Sequence, residues 1–167
     1  WTAGPAMNTA RSQLGGSGTQ TAAIGFGGRS TPVVAITEQF DGTSWSEVGD
    51  LGTARRQLSS TRSNTGNSSA LAIGGFQTPS NNTYSNTEEF NGTSWIAGGA
   101  MIIARQNIAG AGTQNATVGF GGSTPTILSC TEEYNGSSWS VGNAYVVAVR
   151  DSSGTGTIDA ALGIGGV

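Results

Sequence analysis

The sequence has no histidine, and its seven basic residues are all arginine, so lysine is absent too. Without histidine, the usual base of nucleophilic triads and the commonest protein ligand of zinc and haem iron are both missing. Only 10% of residues are charged and the net charge is -3, so no basic field exists to concentrate phosphates. Nucleic acid and anionic membrane surfaces are therefore poor partners. The single cysteine, Cys130, cannot form a disulfide within the chain and is expected to act as a small apolar filler. No apolar run approaches the roughly 20 residues of a spanning helix, the longest being Ala100–Ala104 and Tyr145–Val149. Membrane insertion is not expected.

What is present is glycine, at 28 positions, and a polar surface of Ser, Thr, Asn and Gln. The 167 residues with 35% hydrophobic content suit a soluble chain with a modest core. The sequence opens on Trp1 with no methionine and no signal-like region, which reads as part of a longer chain.

Self-comparison organises the rest. Trp1, Trp45, Trp95 and Trp139 are separated by 44, 50 and 44 residues, a period that marks propellers and solenoids. An Ala-Arg or Val-Arg pair follows each tryptophan (Arg11, Arg55, Arg105, Arg150). A double glycine comes next (Gly27-Gly28, Gly74-Gly75, Gly121-Gly122, Gly165-Gly166), and then Thr-Glu at Glu38, Glu88 and Glu132. Short alternating or apolar segments bounded by glycine and asparagine predict four strands per repeat. The first reads like 106–112, the second like 22–27 or 116–121, the third like 36–40, and the fourth starts at the tryptophan. Asp41-Gly42, Asn91-Gly92 and Asn135-Gly136 between third and fourth strands predict type I′ hairpin turns. Glycines and alanines of the second strand (Ala22, Ala23, Ala70, Ala72, Ala116, Ala160, Ala161) predict that this strand lies near a crowded axis. Phe40, Phe90 and Tyr134 are expected to fill the wedge between sheets.

These four ladders resemble Kelch repeats, whose mark is a double glycine followed by a spaced aromatic and tryptophan. The resemblance covers residues 1–167 and implies an all-β Kelch-type β-propeller of about four blades with four antiparallel strands each. The last blade is incomplete, because its third strand is absent from the sequence. The phrasing Thr-Glu-Glu-Phe-Asn-Gly-Thr-Ser-Trp at 87–95 is similar to Kelch-like repeat proteins of bacteriophages and environmental bacteria. That likeness implies a virion-surface or extracellular location, with protein subunits of the assembly and surface glycans as partners. Pairing through the open last blade, or a homo-oligomer, is a further expectation.

The recurrent arginines and glutamates are expected to form a structural ion-pair ladder, because every repeat carries them and a catalytic centre breaks repeat symmetry. Glu88-Glu89 and Glu132-Glu133 point to opposite faces of a strand and cannot act as one carboxylate pair. Some Kelch propellers resemble the copper oxidase that acts on galactose, whose metal site needs histidines that this sequence lacks. No catalytic residue, cofactor or metal is therefore expected. Repeat two is longer than its neighbours between Arg55 and Gly74 and again between Gly75 and Thr87. The second insertion places Gln77, Asn81, Asn82 and Tyr84 in a candidate binding loop, an aromatic with amides suited to a sugar. The leading expectation is a non-catalytic propeller of a phage particle, acting as fibre, decoration or host-surface contact. A secreted carbohydrate-binding module is the alternative, ahead of an enzyme of the galactose-oxidase type.

Overall fold

A computed structural model describes residues 3–61 and 66–167. Trp1 and part of the first insertion of repeat two lie outside the described residues. Within them the chain is all β, with no helix.

The first sheet is an antiparallel meander of β1 (Gly15–Gly18), β2 (Ala23–Phe26), β3 (Thr37–Phe40) and β4 (Trp45–Val48). The next repeat gives β5 (Ser59–Ser60), β6 (Ala70–Ile73), the small hairpin β7 (Phe76–Gln77) and β8 (Asn82–Thr83), then β9 (Thr87–Phe90) and β10 (Trp95–Ala97). Its sheet runs β5-β6-β9-β10. The third repeat gives β11 (Ala109–Thr113), β12 (Ala116–Phe120), the hairpin β13 (Ser123–Thr124) and β14 (Thr126–Ile127), β15 (Thr131–Tyr134) and β16 (Trp139–Val141), with β11, β12, β15 and β16 as its sheet. The fourth is a pair, β17 (Ser153–Gly156) and β18 (Ala161–Ile164).

Second, third and fourth strands fall where the periodicity places them, and register follows the aromatic pattern: Phe40 stands opposite Trp45, Phe90 opposite Trp95, Tyr134 opposite Trp139. The first strand differs. β11 starts at Ala109 rather than Gln106, because Asn107 turns through a φ of 57° and Gln106 bridges to Ser123 beside the sheet.

The hairpin turn is also a correction. A type I′ turn needs positive φ at both central residues, yet only Gly42 of the Asp41-Gly42 pair has it. Four residues, 41–44, connect β3 to β4. The Asp41 carboxylate accepts from the Thr43 and Ser44 N–H groups at 2.8 Å each, while the Asp41 N–H donates to the Ser44 carbonyl. Those hydrogen bonds hold the carboxyl below its ordinary pKa. Asn91 and Asn135 make the same side-chain-to-backbone turn at 3.0 Å.

First strands of successive repeats lie side by side, β1 beside β5, β5 beside β11 and β11 beside β17. Together they line a shared cavity of about 660 Å³. The crowded strand is thus the first one and not the second. A Cβ on Gly154 would stand 2.4 Å from the Gly110 carbonyl oxygen, which explains the glycine, serine and alanine of β1, β5, β11 and β17. Ala70 and Ala72 of the second strand are instead 0% exposed between the first two sheets, and Ala160 and Ala161 are exposed.

Apolar side chains fill the gaps between sheets. Ile24 and Phe26 pack with Leu51, Ala70, Ala72 and Phe90. Leu71 and Ile73 pack with Met101, Tyr134 and Trp139. Phe120 and Val118 meet Tyr145 and Ile158 of the fourth repeat. Phe90 and Tyr134 are wedges as expected, but Phe40 is only half-buried, since no described sheet precedes its own.

Candidate functional site

The recurrent arginines and glutamates pair at one end of the sheets, where the connection entering each repeat crosses its third strand. Glu38, on β3, takes Arg11 Nη1 at 2.6 Å and the Asn8 and Thr9 N–H groups at 2.7 and 3.2 Å. Glu88, on β9, takes Arg55 Nη1 and the Gly52 N–H, both at 2.7 Å. Glu132, on β15, takes Arg105 Nη2 at 3.0 Å and the Ile102 and Ile103 N–H groups at 2.6 and 3.2 Å. Each arginine also donates to a carbonyl of the second strand or the glycine after it: Gly25, Ala72 or Gly121. All three guanidinium side chains are 0% exposed. Burial pulls Arg55 and Arg105 below the ordinary arginine value, and their carboxylate partners oppose it. Each pair thus fastens the incoming connection to the third strand.

Arg105 also donates to the Cys130 sulfur and carbonyl oxygen, both at 2.9 Å. Cys130 is half-buried and hydrogen-bonded, so it is not the apolar filler expected.

Arg150 needs a correction. The second glycine of each pair donates its N–H across to the next repeat: Gly28 to the Arg55 carbonyl, Gly75 to Arg105, and Gly122 to Val149. Val149 therefore holds the place of the buried arginines and is 9% exposed. Arg150 falls one position later, at the place held by Arg56 and Gln106 in the other repeats, and its side chain meets Asp151 at 3.6 Å in the open. Such an exposed pair contributes little. The Val-Arg dipeptide mimics Ala-Arg in sequence, but the backbone bonds settle the register.

Tryptophans tie neighbouring sheets together. Trp95 Nε1 donates to Thr37 Oγ1 at 2.9 Å and Trp139 Nε1 to Thr87 Oγ1 at 3.0 Å, each reaching the third strand of the preceding sheet. Trp45 Nε1 donates to the Pro5 carbonyl at 3.2 Å. The acidic neighbours separate as expected: Glu88 faces Arg55, while Glu89 accepts from the Tyr134 hydroxyl of the next sheet. Burial, reinforced by Glu89, pushes the Tyr134 phenol up to about 12. A raised pKa means the fold favours the protonated phenol. That contribution should be whole below pH about 10 and be lost as pH rises towards 12. A tyrosinate absorbance titration should show one tyrosine ionising near the upper end of this window, absent in Tyr134→Phe. No such signal, or its survival in the variant, refutes the assignment.

The end of the shared cavity carries a feature that the motif reading missed. Gln13, Gln57, Asn107 and Asp151 adopt φ of 57, 55, 57 and 55°, a left-handed conformation uncommon outside glycine. Their backbones form a chain: Gln57 N–H donates to Gln13 O at 2.9 Å, Asn107 to Gln57 at 2.9 Å, and Asp151 to Asn107 at 3.2 Å. They line a recess of about 250 Å³ with Leu14, Leu58, Ile108 and Ser152. An amide or carboxylate at a fixed distance after each tryptophan was the available signal.

The candidate loop lies at this same end. β7 and β8 pair Phe76 with Thr83 and Gln77 with Asn82. The Tyr84 hydroxyl donates to Gln77 Oε1 at 2.5 Å, and the Tyr84 backbone joins Gly75 and Arg105. Tyr84 and Gln77 are half-buried and engaged with each other, whereas Asn81 and Asn82 are exposed. The structure thus brings together two of the four residues and presents the other two to solvent. Among the described residues, no three of Asp, Glu and Cys stand together as metal ligands would. Compared with known protein families and with curated proteins, the sequence matches none of them.

Proposed function

We propose that this chain is a Kelch-type β-propeller region of about four blades, serving as a non-catalytic binding or structural module on the surface of a phage particle or similar extracellular assembly. One observation carries the reading: the buried arginine–glutamate pairs repeat in one architectural role in three sheets, while the β7–β8 hairpin that sets repeat two apart is exposed at its tip. Glu38, Glu88 and Glu132 each accept from an arginine and from at least one backbone N–H, the same fastening role in three repeats. The β7–β8 hairpin, longer than its counterparts, offers Pro79, Ser80, Asn81 and Asn82 to solvent. The lysine-free amide and hydroxyl surface and the resemblance to phage Kelch-like repeats support the location.

Antibody raised against the chain should label the outside of intact particles. Labelling seen only after particle disruption overturns the assignment. The carbohydrate-binding alternative draws on the two exposed amides of the hairpin. On a glycan array it requires a specific signal that Asn81→Ala and Asn82→Ala remove together, with the circular dichroism unchanged.

A further inference from the structure

We infer that the seam between the first and second repeats binds a carboxylated sugar, with Arg29 and Arg56 holding its carboxylate. Three arginines lie in the buried ladder and Arg150 meets Asp151, whereas among the described residues no carboxylate pairs with Arg29 or Arg56. Both stand where the backbones of the two repeats are stitched together. The Gly28 N–H donates to the Arg55 carbonyl at 2.9 Å, and the Gln57 N–H to the Gln13 carbonyl at 2.9 Å. Arg29 and Ser12 exchange backbone hydrogen bonds at 2.7 and 3.0 Å between these two stitches. The arrangement breaks the repeat. The same two places carry Phe76 and Gln106 at the second seam, and Ser123 and Arg150 at the third. The first seam lies between two complete four-stranded sheets and brings two cations together, an arrangement that repels itself unless an anion joins it.

Arg56 is held ready for a ligand. Its guanidinium lies over the Phe76 ring, with Cζ 5.3 Å from the centroid, and its Nη1 donates to Gln13 Oε1 at 2.7 Å. The stack and the anchored nitrogen fix the plane and leave Nη2 with no acceptor among the described residues. A guanidinium ordered in advance suits a planar carboxylate, because less side-chain entropy is lost on binding. Phe76 comes from the β7–β8 hairpin, so the insertion of repeat two backs this arginine. Arg29 is exposed and approaches the seam from the first repeat.

The surroundings favour a sugar over a polyanion. Gln13 and Gln57 line the recess next to Arg56 together with Leu14 and Leu58, two amides to exchange hydrogen bonds with hydroxyls and two apolar side chains for the face of a ring. Gln13 keeps its Nε2 as a donor, since Oε1 is the atom that Arg56 holds. A net charge of -3 repels a polyphosphate at long range, while a single carboxylate meets two local cations. Asp151, the acid that lines the same recess from the fourth repeat, has Arg150 at 3.6 Å. This site is separate from Asn81 and Asn82 of the hairpin tip and does not rest on the location proposed above.

Chemical-shift titration of the isotope-labelled whole chain tests this with three probes: methyl glucuronoside, its neutral twin methyl glucoside, and inorganic phosphate. The glucuronoside should bind at least about tenfold more tightly than the glucoside, the scale of one hydrogen bond to a charged group, and more tightly than phosphate. Arg56→Gln and Arg29→Gln should each remove most of that preference. Arg150→Gln, and Asn81→Ala combined with Asn82→Ala, should leave it unchanged. Arg29 is exposed, so its variant gives the reading if Arg56→Gln does not fold. Binding of none of the three probes overturns the site. Equal affinity for the two sugars, or a preference that survives both arginine variants, overturns the role of the arginines. Phosphate bound as tightly as the glucuronoside overturns the sugar. Loss of the preference in the asparagine variant alone moves the binding to the hairpin tip and overturns the seam.

Discussion

Arg55→Ala should destabilise the chain by about 3–5 kcal/mol, the range for removing one partner of a buried ion pair. The size follows from what remains. Glu88 would keep its hydrogen bond from the Gly52 N–H but lose the guanidinium, which is 0% exposed and also bonds the Ala72 carbonyl. An uncompensated carboxylate would then lie between the connection and β9. The paired variant Arg55→Val with Glu88→Gln should recover much of the loss, because the charge disappears while an acceptor for Gly52 is kept. The fourth repeat already carries a valine at this place, and it is buried. The arginines also bring a cost that valine does not, since the Nε of Arg11, Arg55 and Arg105 has no hydrogen-bond partner among the described residues. Urea unfolding of the three proteins decides the matter. A paired variant no more stable than Arg55→Ala would mean that the ladder stabilises by more than charge balance.

Gly74→Ala should lose more stability than Gly165→Ala, although the two glycines hold the same place in repeats two and four. Their φ values are close, +57° and +68°, so each alanine meets a similar backbone cost of about 1–2 kcal/mol. Their surroundings differ. A Cβ on Gly74 would stand 2.5 Å from the Arg105 carbonyl oxygen and 2.7 Å from Ile108 Cδ1, while nothing lies within 4 Å of one on Gly165. The first contact is with backbone, which cannot step aside as a side-chain tip can. It also holds the Gly75 N–H, donated to Arg105 at 3.0 Å. Overpacking of this kind adds about 1–3 kcal/mol. Equal losses in the two variants, read from denaturant midpoints, would show that the double glycine serves backbone conformation alone.

Much of the local structure is legible in one dimension. Alternation over Thr37–Phe40 and its repeats marks the third strands, and the aspartate or asparagine with glycine marks the turns that follow. Their exact type is harder to read. An Asp-Gly pair satisfies the composition of a type I′ turn, and only the carboxylate bonds to Thr43 and Ser44 show the wider loop. In the candidate loop, sequence groups Gln77, Asn81, Asn82 and Tyr84 as one polar cluster. Folding separates them, because cross-strand pairing turns Tyr84 onto Gln77 and leaves the two asparagines outside.

The sequence by itself determined the repeat, the all-β character, the third and fourth strands of each complete unit and the pairing of aromatic with tryptophan. Apart from the repeat itself, these depend on neighbours within about ten residues and on the two-residue period of a strand. Only the tertiary structure decided which strand lines the cavity, that Val149 and not Arg150 holds the fourth arginine site, and that Gln13, Gln57, Asn107 and Asp151 join successive repeats through their backbones. These are relations between repeats, set by which carbonyl faces which N–H across a gap of some 27 to 50 residues. A period in the sequence says that two units are alike, whereas their contact says what each does for the other.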